Sequence, residues 1–439
     1  MMTSGTVTTD GNAPVYVNNG GTATLKSGTI IQSQNNSNLV YNRAGTTNIE
    51  GINLANKGTT IQNGDSDSTT TILNINSGTI SSEENLAIRN YATVNHSDGT
   101  VSSTSTSKVT VYNLATGSYT LSGGTIKSLT NTVNNVGIFM MTSGTLTTDG
   151  NYTTYYNNGG TATFQGGTIQ NPGNSILVNN KAGTTTIDGI NLANKSVAIQ
   201  NGDSNNTTAI LNINSGTISS EENLTIINYA TVNHSDGTVS SNATSKVTVA
   251  NAAAGSYTLS GGSIASNASN AFSNRGTFMM TSGTVTTAGN APTYVNNGGT
   301  ATFQGGNILN TGGATLTYNL SGTVNMDGMS LTNTGGVLSN GKTADDTSVM
   351  NLNNCSISST ESTTIGNNGI LTITNGSVAS TAGNAINNSR KVTLKGNAKI
   401  TSSIKNYPTI YNKSGATLIK DSTVTVTNTG GGQAIYNAS

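Results

Sequence analysis

The chain has one cysteine, four prolines, no tryptophan and only 8% charged residues among 439. A lone cysteine excludes a disulfide framework, and Cys355 reads as a small, unpaired, structurally incidental side chain. So few prolines leave long stretches of backbone free to donate ladder hydrogen bonds. Typical soluble domains carry about 25% charge, and a formal net charge of zero on so sparse a set speaks against a nucleic-acid partner. No apolar run approaches the roughly 20 residues of a membrane helix, and no charged segment followed by a hydrophobic one opens the chain. Low apolar content alone would suggest disorder. Disorder, however, goes with strong net charge or aperiodic polar sequence, whereas the Thr, Ser, Asn and Gly residues here fall in register.

That register is the dominant feature. The stretch beginning MMTSGT at Met1 returns at Met140 and Met279, a period of 139 residues, and INSGTISSEENL and NYATVNHSDGTVSS recur almost unchanged in the first two copies. Within each long repeat a glycine turn precedes a Thr and an aliphatic, at Gly5, Gly28, Gly51, Gly78, Gly99, Gly124 and then Gly144. Six such turns of about 23 residues make one long repeat, so the chain holds about nineteen. Function is therefore sought in a repeating unit. Length alone would split the chain into two or three domains, but a stacked array has no core that stops growing. The expected organisation is one continuous array, 1–139, 140–278 and 279–439. Met1 matches internal methionines and QAIYNAS breaks off where another turn would begin, so the chain reads as cut from a longer protein.

Aligning the turns on their glycines gives columns with the period of two that a strand requires. Ala23 and Leu25, Leu73 and Ile75, Tyr119 and Leu121, and Phe139 and Met141 precede the bend; Ile30, Ile80, Val101, Ile126 and Leu146 follow it. These columns are expected to face inward. Around Gly51 the glycine sits one place early, yet Ile49 and Leu54 keep the apolar positions. Thr24, Asn48, Asn74, Asn95 and Thr120 alternate with the inward set and should face water or a neighbouring turn.

One asparagine follows a short apolar strand in each turn: Asn18, Asn42, Asn63, Asn90, Asn113, Asn135, Asn157, Asn180, Asn201, Asn228, Asn251 and Asn274, then Asn296, Asn319, Asn340, Asn367, Asn412 and Asn437. Identical stacked Asn side chains hydrogen-bond amide to amide, and Asn also tolerates left-handed backbone at a sharp bend. Short strands separated by bends, with a repeat too small to stand alone, wind into an all-β, single-stranded parallel β-helix. Ordering 23 residues costs on the order of 23 to 46 kcal/mol of backbone entropy, which only stacking on neighbours can offset.

The pattern NNGGTATFQGGTI, Asn157 to Ile169, resembles the repeats of right-handed β-helix proteins with the pectin-lyase-like fold. More narrowly it is similar to the Gly/Thr/Asn-rich adhesin-like surface proteins of gut bacteria and archaea. The likeness extends over essentially the whole chain and implies a right-handed coil. That fold carries lyases, phage tailspikes, autotransporter passengers and non-catalytic stalks alike, so it leaves function open.

Chemistry-bearing residues are few. His96 and His234 precede Asp98 and Asp236 in NHSDG, an arrangement that invites general base catalysis. Their position holds Leu25, Ile75 and Leu121 in neighbouring turns, so a hydrogen-bonded core histidine is expected. Glu83–Glu84 and Glu221–Glu222 form acidic pairs, but adjacent strand residues point to opposite faces, while glycoside hydrolysis wants two carboxyls flanking one bond. The third copy keeps only Glu361, which favours a solvated bend. The longest turn carries an insertion, GDSDSTTT from Gly64, GDSNNTTA from Gly202 and GKTADDTS from Gly341. Asp65 and Asp67 alternate with hydroxyls there and are weak calcium candidates, since calcium takes six or more oxygens and the second copy retains only Asp203. The resemblance to pectate lyases implies clustered Asp ligands with a basic residue nearby, and no such cluster repeats.

The column Thr6, Thr29, Thr79, Thr100, Thr125, Thr145 and Thr168 raises ice binding, but two residues on stand Thr8, Ile31, Ser81, Ser102, Lys127, Thr147 and Gln170, so ladder packing explains it better. From Arg390 to Lys420 lie seven basic residues, with Asp421 the one acid beside them. Such a zone suits an anionic cell-wall polymer or is simply a solvated face. The expected function is a non-catalytic, cofactor-free extracellular stalk or adhesin segment at the cell surface, meeting a surface glycan or protein. The competing function is a polysaccharide-cleaving enzyme or tailspike on the same fold.

Overall fold

Thr-rich and β-branched segments, punctuated by glycines with positive φ, form strands of mostly three to five residues, with longer ones such as Tyr155–Phe164 and Val178–Asn194 running on through a corner. The computed structural model describes residues 6–9, 11–26, 37–343 and 347–439, and the backbone alone of 29–32. Gly5, Gly28, the Ile30 side chain and the Asp345–Asp346 part of the third insertion lie outside the described residues. The fold is an all-β, right-handed parallel β-solenoid of about 18 turns, with no helix among the described residues. Contacts gather the chain into two compact units, Met1–Ile218 and Ser219–Ser439. Their boundary falls inside the second long repeat. A solenoid contacts only its sequence neighbours, so compactness need not follow the repeat frame.

In the first unit a turn consists of three strands, seen in Val111–Asn113, Ser118–Leu121 and Thr125–Ser128. Each pairs in parallel with its counterpart one turn on: Val111 with Val133, Tyr119 with Phe139, and Ile126 with Leu146. The third strands alone build an eight-stranded parallel sheet within this unit. The second unit repeats the plan, pairing Val249 with Phe272, Tyr257 with Phe278 and Ile264 with Val285. There five further third strands, from Ser330–Asn333 to Thr425–Asn428, form their own parallel sheet.

The apolar columns point inward as their period requires. Leu73, Ile75, Ile80, Val101, Leu121, Ile126 and Leu146 are all fully buried, as are Ile49 and Leu54 around the displaced Gly51. Each buried aliphatic contributes about 1.5 to 3 kcal/mol relative to exposure. Aromatic residues take the same interior positions. In the first unit Tyr119, Phe139, Tyr155 and Phe164 pack ring against ring, in turn stacked, tilted and edge-to-face, with centroids 5.7, 5.0 and 4.9 Å apart. In the second, Tyr257, Phe272, Phe278, Tyr294 and Phe303 do the same.

The alternating positions face outward and also bond between turns. Asn95 donates to Asn74 at 2.9 Å, Asn74 to Asn48 at 2.8 Å and Asn48 to Thr24 at 3.4 Å, giving a second, outer amide file. At the corners, Gly78 has φ +99°, and a Cβ there would run into the Ile52 carbonyl. The third copy places Cys355 at the matching position. It does so by moving the left-handed residue one place back, to Asn354 at φ 52°.

Candidate functional site

The inner asparagine file is the most regular chemical feature of the molecule. In the first unit Nδ2 of Asn18, Asn42, Asn63, Asn90, Asn113, Asn135, Asn157 and Asn180 each donates to Oδ1 of the ladder asparagine one turn on, over 2.7 to 3.1 Å. In the second unit the file runs from Asn228 to Asn412 with bonds of 2.6 to 3.0 Å. The same amide also donates to backbone carbonyls at the corner: Asn113 reaches Ile138 at 2.8 Å and Asn251 reaches Thr277 at 3.0 Å. Each side chain thus joins two turns and closes the corner between the first and second strands.

Two expectations need correction. The ladder asparagines do not use left-handed backbone; among the described residues the non-glycine positions with positive φ are Asn174, Asn354 and Asn375. The ladder positions lie in extended strand backbone, so their amide hydrogen bonds, not their backbone tolerance, select Asn. The file also includes Asn388, which accepts from Asn367 and donates to Asn412. The doublet Asn387–Asn388 hides it in the sequence, where only the register tells the two apart. Asn437 pairs with Asn412 in the backbone register but is exposed.

The two histidines are interior polar links. His96 is fully buried, its Nδ1 2.9 Å from the Tyr119 hydroxyl and its Nε2 3.3 Å from the Gly99 carbonyl. The carbonyl requires a proton on Nε2, so Nδ1 accepts from the tyrosine. His234 repeats this with Tyr257 and Gly237. Burial holds both imidazoles at about 4, well below the ordinary 6.5, and they are neutral at pH 7. Cys355 is buried, with Sγ 3.2 Å from the Asn353 carbonyl, and burial pushes its thiol pKa up, away from thiolate reactivity.

The remaining candidates lie at the surface, Asp65 and Asp203 half-buried and the others exposed. Glu83, Glu84, Glu221 and Glu222 lie on bends, and Glu84 pairs with Lys57 at 3.1 Å. In the insertion, Asp65 accepts from the Tyr41 hydroxyl and from the Asp67 amide at 2.9 Å, closing a turn on itself. The tyrosine bond lowers the Asp65 pKa, while burial and that carboxylate push Tyr41 up to about 12. Asp67 meets Ser66 at 3.3 Å, and no group of three His, Cys, Asp or Glu side chains able to hold a metal occurs among the described residues. Asp203 closes the matching turn by accepting from the Asn205 and Asn206 amides.

The hydroxyl column from Thr79 to Thr168 is in register turn by turn, as ladder packing requires. The basic zone forms a collar rather than one patch. Lys391 and Lys395 lie on a second strand, Lys399 on a third, Lys405 and Lys413 at corners, and Lys420 is tied to the Asp421 and Val424 carbonyls. Comparison with protein-family models, curated proteins and solved structures finds no match.

Proposed function

We propose that the chain is a non-catalytic segment of an extracellular stalk or adhesin, spacing or presenting a binding part at a cell surface. The observation that carries this is the continuous buried amide file within each unit, locked to the strand register. Every turn offers the next one the same donors, acceptors and apolar columns, so turns can be gained or lost without a new fold. Side chains able to do acid, base or nucleophilic chemistry support the non-catalytic role by where they sit. The histidines and the thiol are buried, and the acidic pairs lie on open bends. Under this function the basic collar is where an anionic cell-wall polymer would be met.

Inserting one more 139-residue repeat should lengthen the particle by roughly 29 Å in electron micrographs, six turns at about 4.8 Å each. Incubation with surface polysaccharides should release no new reducing or unsaturated ends. Release of such ends would favour the polysaccharide-cleaving alternative and overturn the proposal.

A further inference from the structure

The position just before each ladder asparagine points outward, and over three successive turns of the first repeat it holds Arg89, Tyr112 and Asn134. Parallel register places these side chains side by side, about 4.8 Å from turn to turn. The loop leading into the middle turn adds Lys108 and Val109, and Leu86 completes a groove of about 260 Å³. That is near the lower bound for ligand pockets, room for one small ring rather than a long chain.

The lining carries two cations and no acid. The adjacent carboxylate, Glu84, is taken by Lys57. Arg89 forms no ion pair, and its Nε and the Asn134 Oδ1 are shielded from solvent yet hydrogen-bonded to nothing in the protein. A buried polar atom without a partner costs about 1 to 3 kcal/mol, so both side chains gain by turning onto a ligand that engages them. Leu86 and Val109 supply an apolar wall; the cations supply donors, and Tyr112 and Asn134 supply both donors and acceptors. This combination fits a ring with an apolar C–H face, hydroxyls and one negative charge.

We propose that this groove binds an acidic sugar, a carboxylate-bearing unit of a surface polysaccharide, with Arg89 and Lys108 on the carboxylate and Tyr112 and Asn134 on the hydroxyls. The proposal stands whether or not the chain is a spacer. The second repeat supplies its own control. It keeps Leu224, Lys246 and Val247 but holds Ile227, Ala250 and Ser273 where the first has Arg89, Tyr112 and Asn134. The backbone carries either set, with Ile227, Ala250 and Ser273 in the same register.

Isothermal titration of the full chain with α-1,4-linked trigalacturonate tests this. One site per chain is expected, with galactotriose, the neutral trimer, not binding. R89I should weaken binding at least ~10-fold, the loss of a charge-assisted pair, and R89I/Y112A/N134S should abolish it. The reverse graft, I227R/A250Y/S273N, should raise the stoichiometry to two. No heat with trigalacturonate, equal binding of galactotriose, or undiminished binding by a triple variant with native circular dichroism would each overturn the proposal.

Discussion

The first and second long repeats are nearly the same inside and differ outside. Asn90, Asn113 and Asn135 correspond to Asn228, Asn251 and Asn274, and the His96–Tyr119 pair to His234–Tyr257, with matching partners and the same 2.9 Å separation. One residue away on the same strands, Arg89, Tyr112 and Asn134 give way to Ile227, Ala250 and Ser273. An inward residue must satisfy the turns above and below it at once, whereas an outward residue answers mainly to solvent. The interior is thus held by register, and any binding specificity is written on the outward positions.

Interior substitutions should therefore act alike in both repeats. Asn113→Ala leaves the Asn135 side-chain carbonyl without its donor in the core and removes one acceptor of the Asn90 amide, which keeps the Ala92 and Ser118 carbonyls; Asn251→Ala does the same to Asn274 and Asn228. Each should lower stability in urea unfolding by about 3 kcal/mol, one buried acceptor left unpaired plus the interior hydrogen bond lost with it. A loss in one repeat without the other would break the correspondence.

The histidines should behave as a second matched pair. Their folded pKa lies below the unfolded value, so the unfolded chain binds more protons between about pH 6.5 and 4. Stability is full above 6.5 and falls as pH drops through that window, by on the order of 3 kcal/mol per histidine. Carboxylates titrate at the low end too. The expected signature is the difference from a variant carrying His96→Leu with Tyr119→Phe and His234→Leu with Tyr257→Phe, whose urea midpoint should vary less between pH 7 and 4.5. Equal slopes for the two proteins would contradict the buried neutral assignment.

The third copy sharpens the comparison at the corner. Gly78→Cys introduces the residue found at position 355 into a left-handed conformation against the Ile52 carbonyl and should cost about 2 kcal/mol. Adding Ser77→Asn, to match Asn354, should recover part of it; no recovery would mean the two corners differ in more than backbone hand. The smallest effect belongs to the outward positions: Arg89→Ile removes the shielded, unpartnered Nε and should raise the unfolding free energy by about 1 kcal/mol, whatever it does to sugar binding.

The turns, inward columns and inner amide file were legible in the sequence because a solenoid repeats one local solution, and period and register carry it directly. Cys355 at a glycine position was visible; the shift of left-handed backbone to Asn354 was not, since two adjacent residues share that freedom. Asn388 escaped because Asn387 beside it is identical and only strand pairing separates inward from outward. The groove was hidden for the opposite reason. Arg89, Tyr112 and Asn134 stand 23 and 22 residues apart and recur in neither other copy, so a search for what repeats passes over them. Their adjacency exists only after winding.

The central claim, that the ladder asparagines form one buried, turn-to-turn hydrogen-bonded file within each unit, is tested most directly by side-chain amide hydrogen exchange in ¹⁵N-Asn-labelled protein. The Nδ2 protons of Asn90, Asn113, Asn135 and their second-unit counterparts should exchange many-fold more slowly than those of the exposed Asn397. Exchange of the ladder amides as fast as Asn397 would contradict the account.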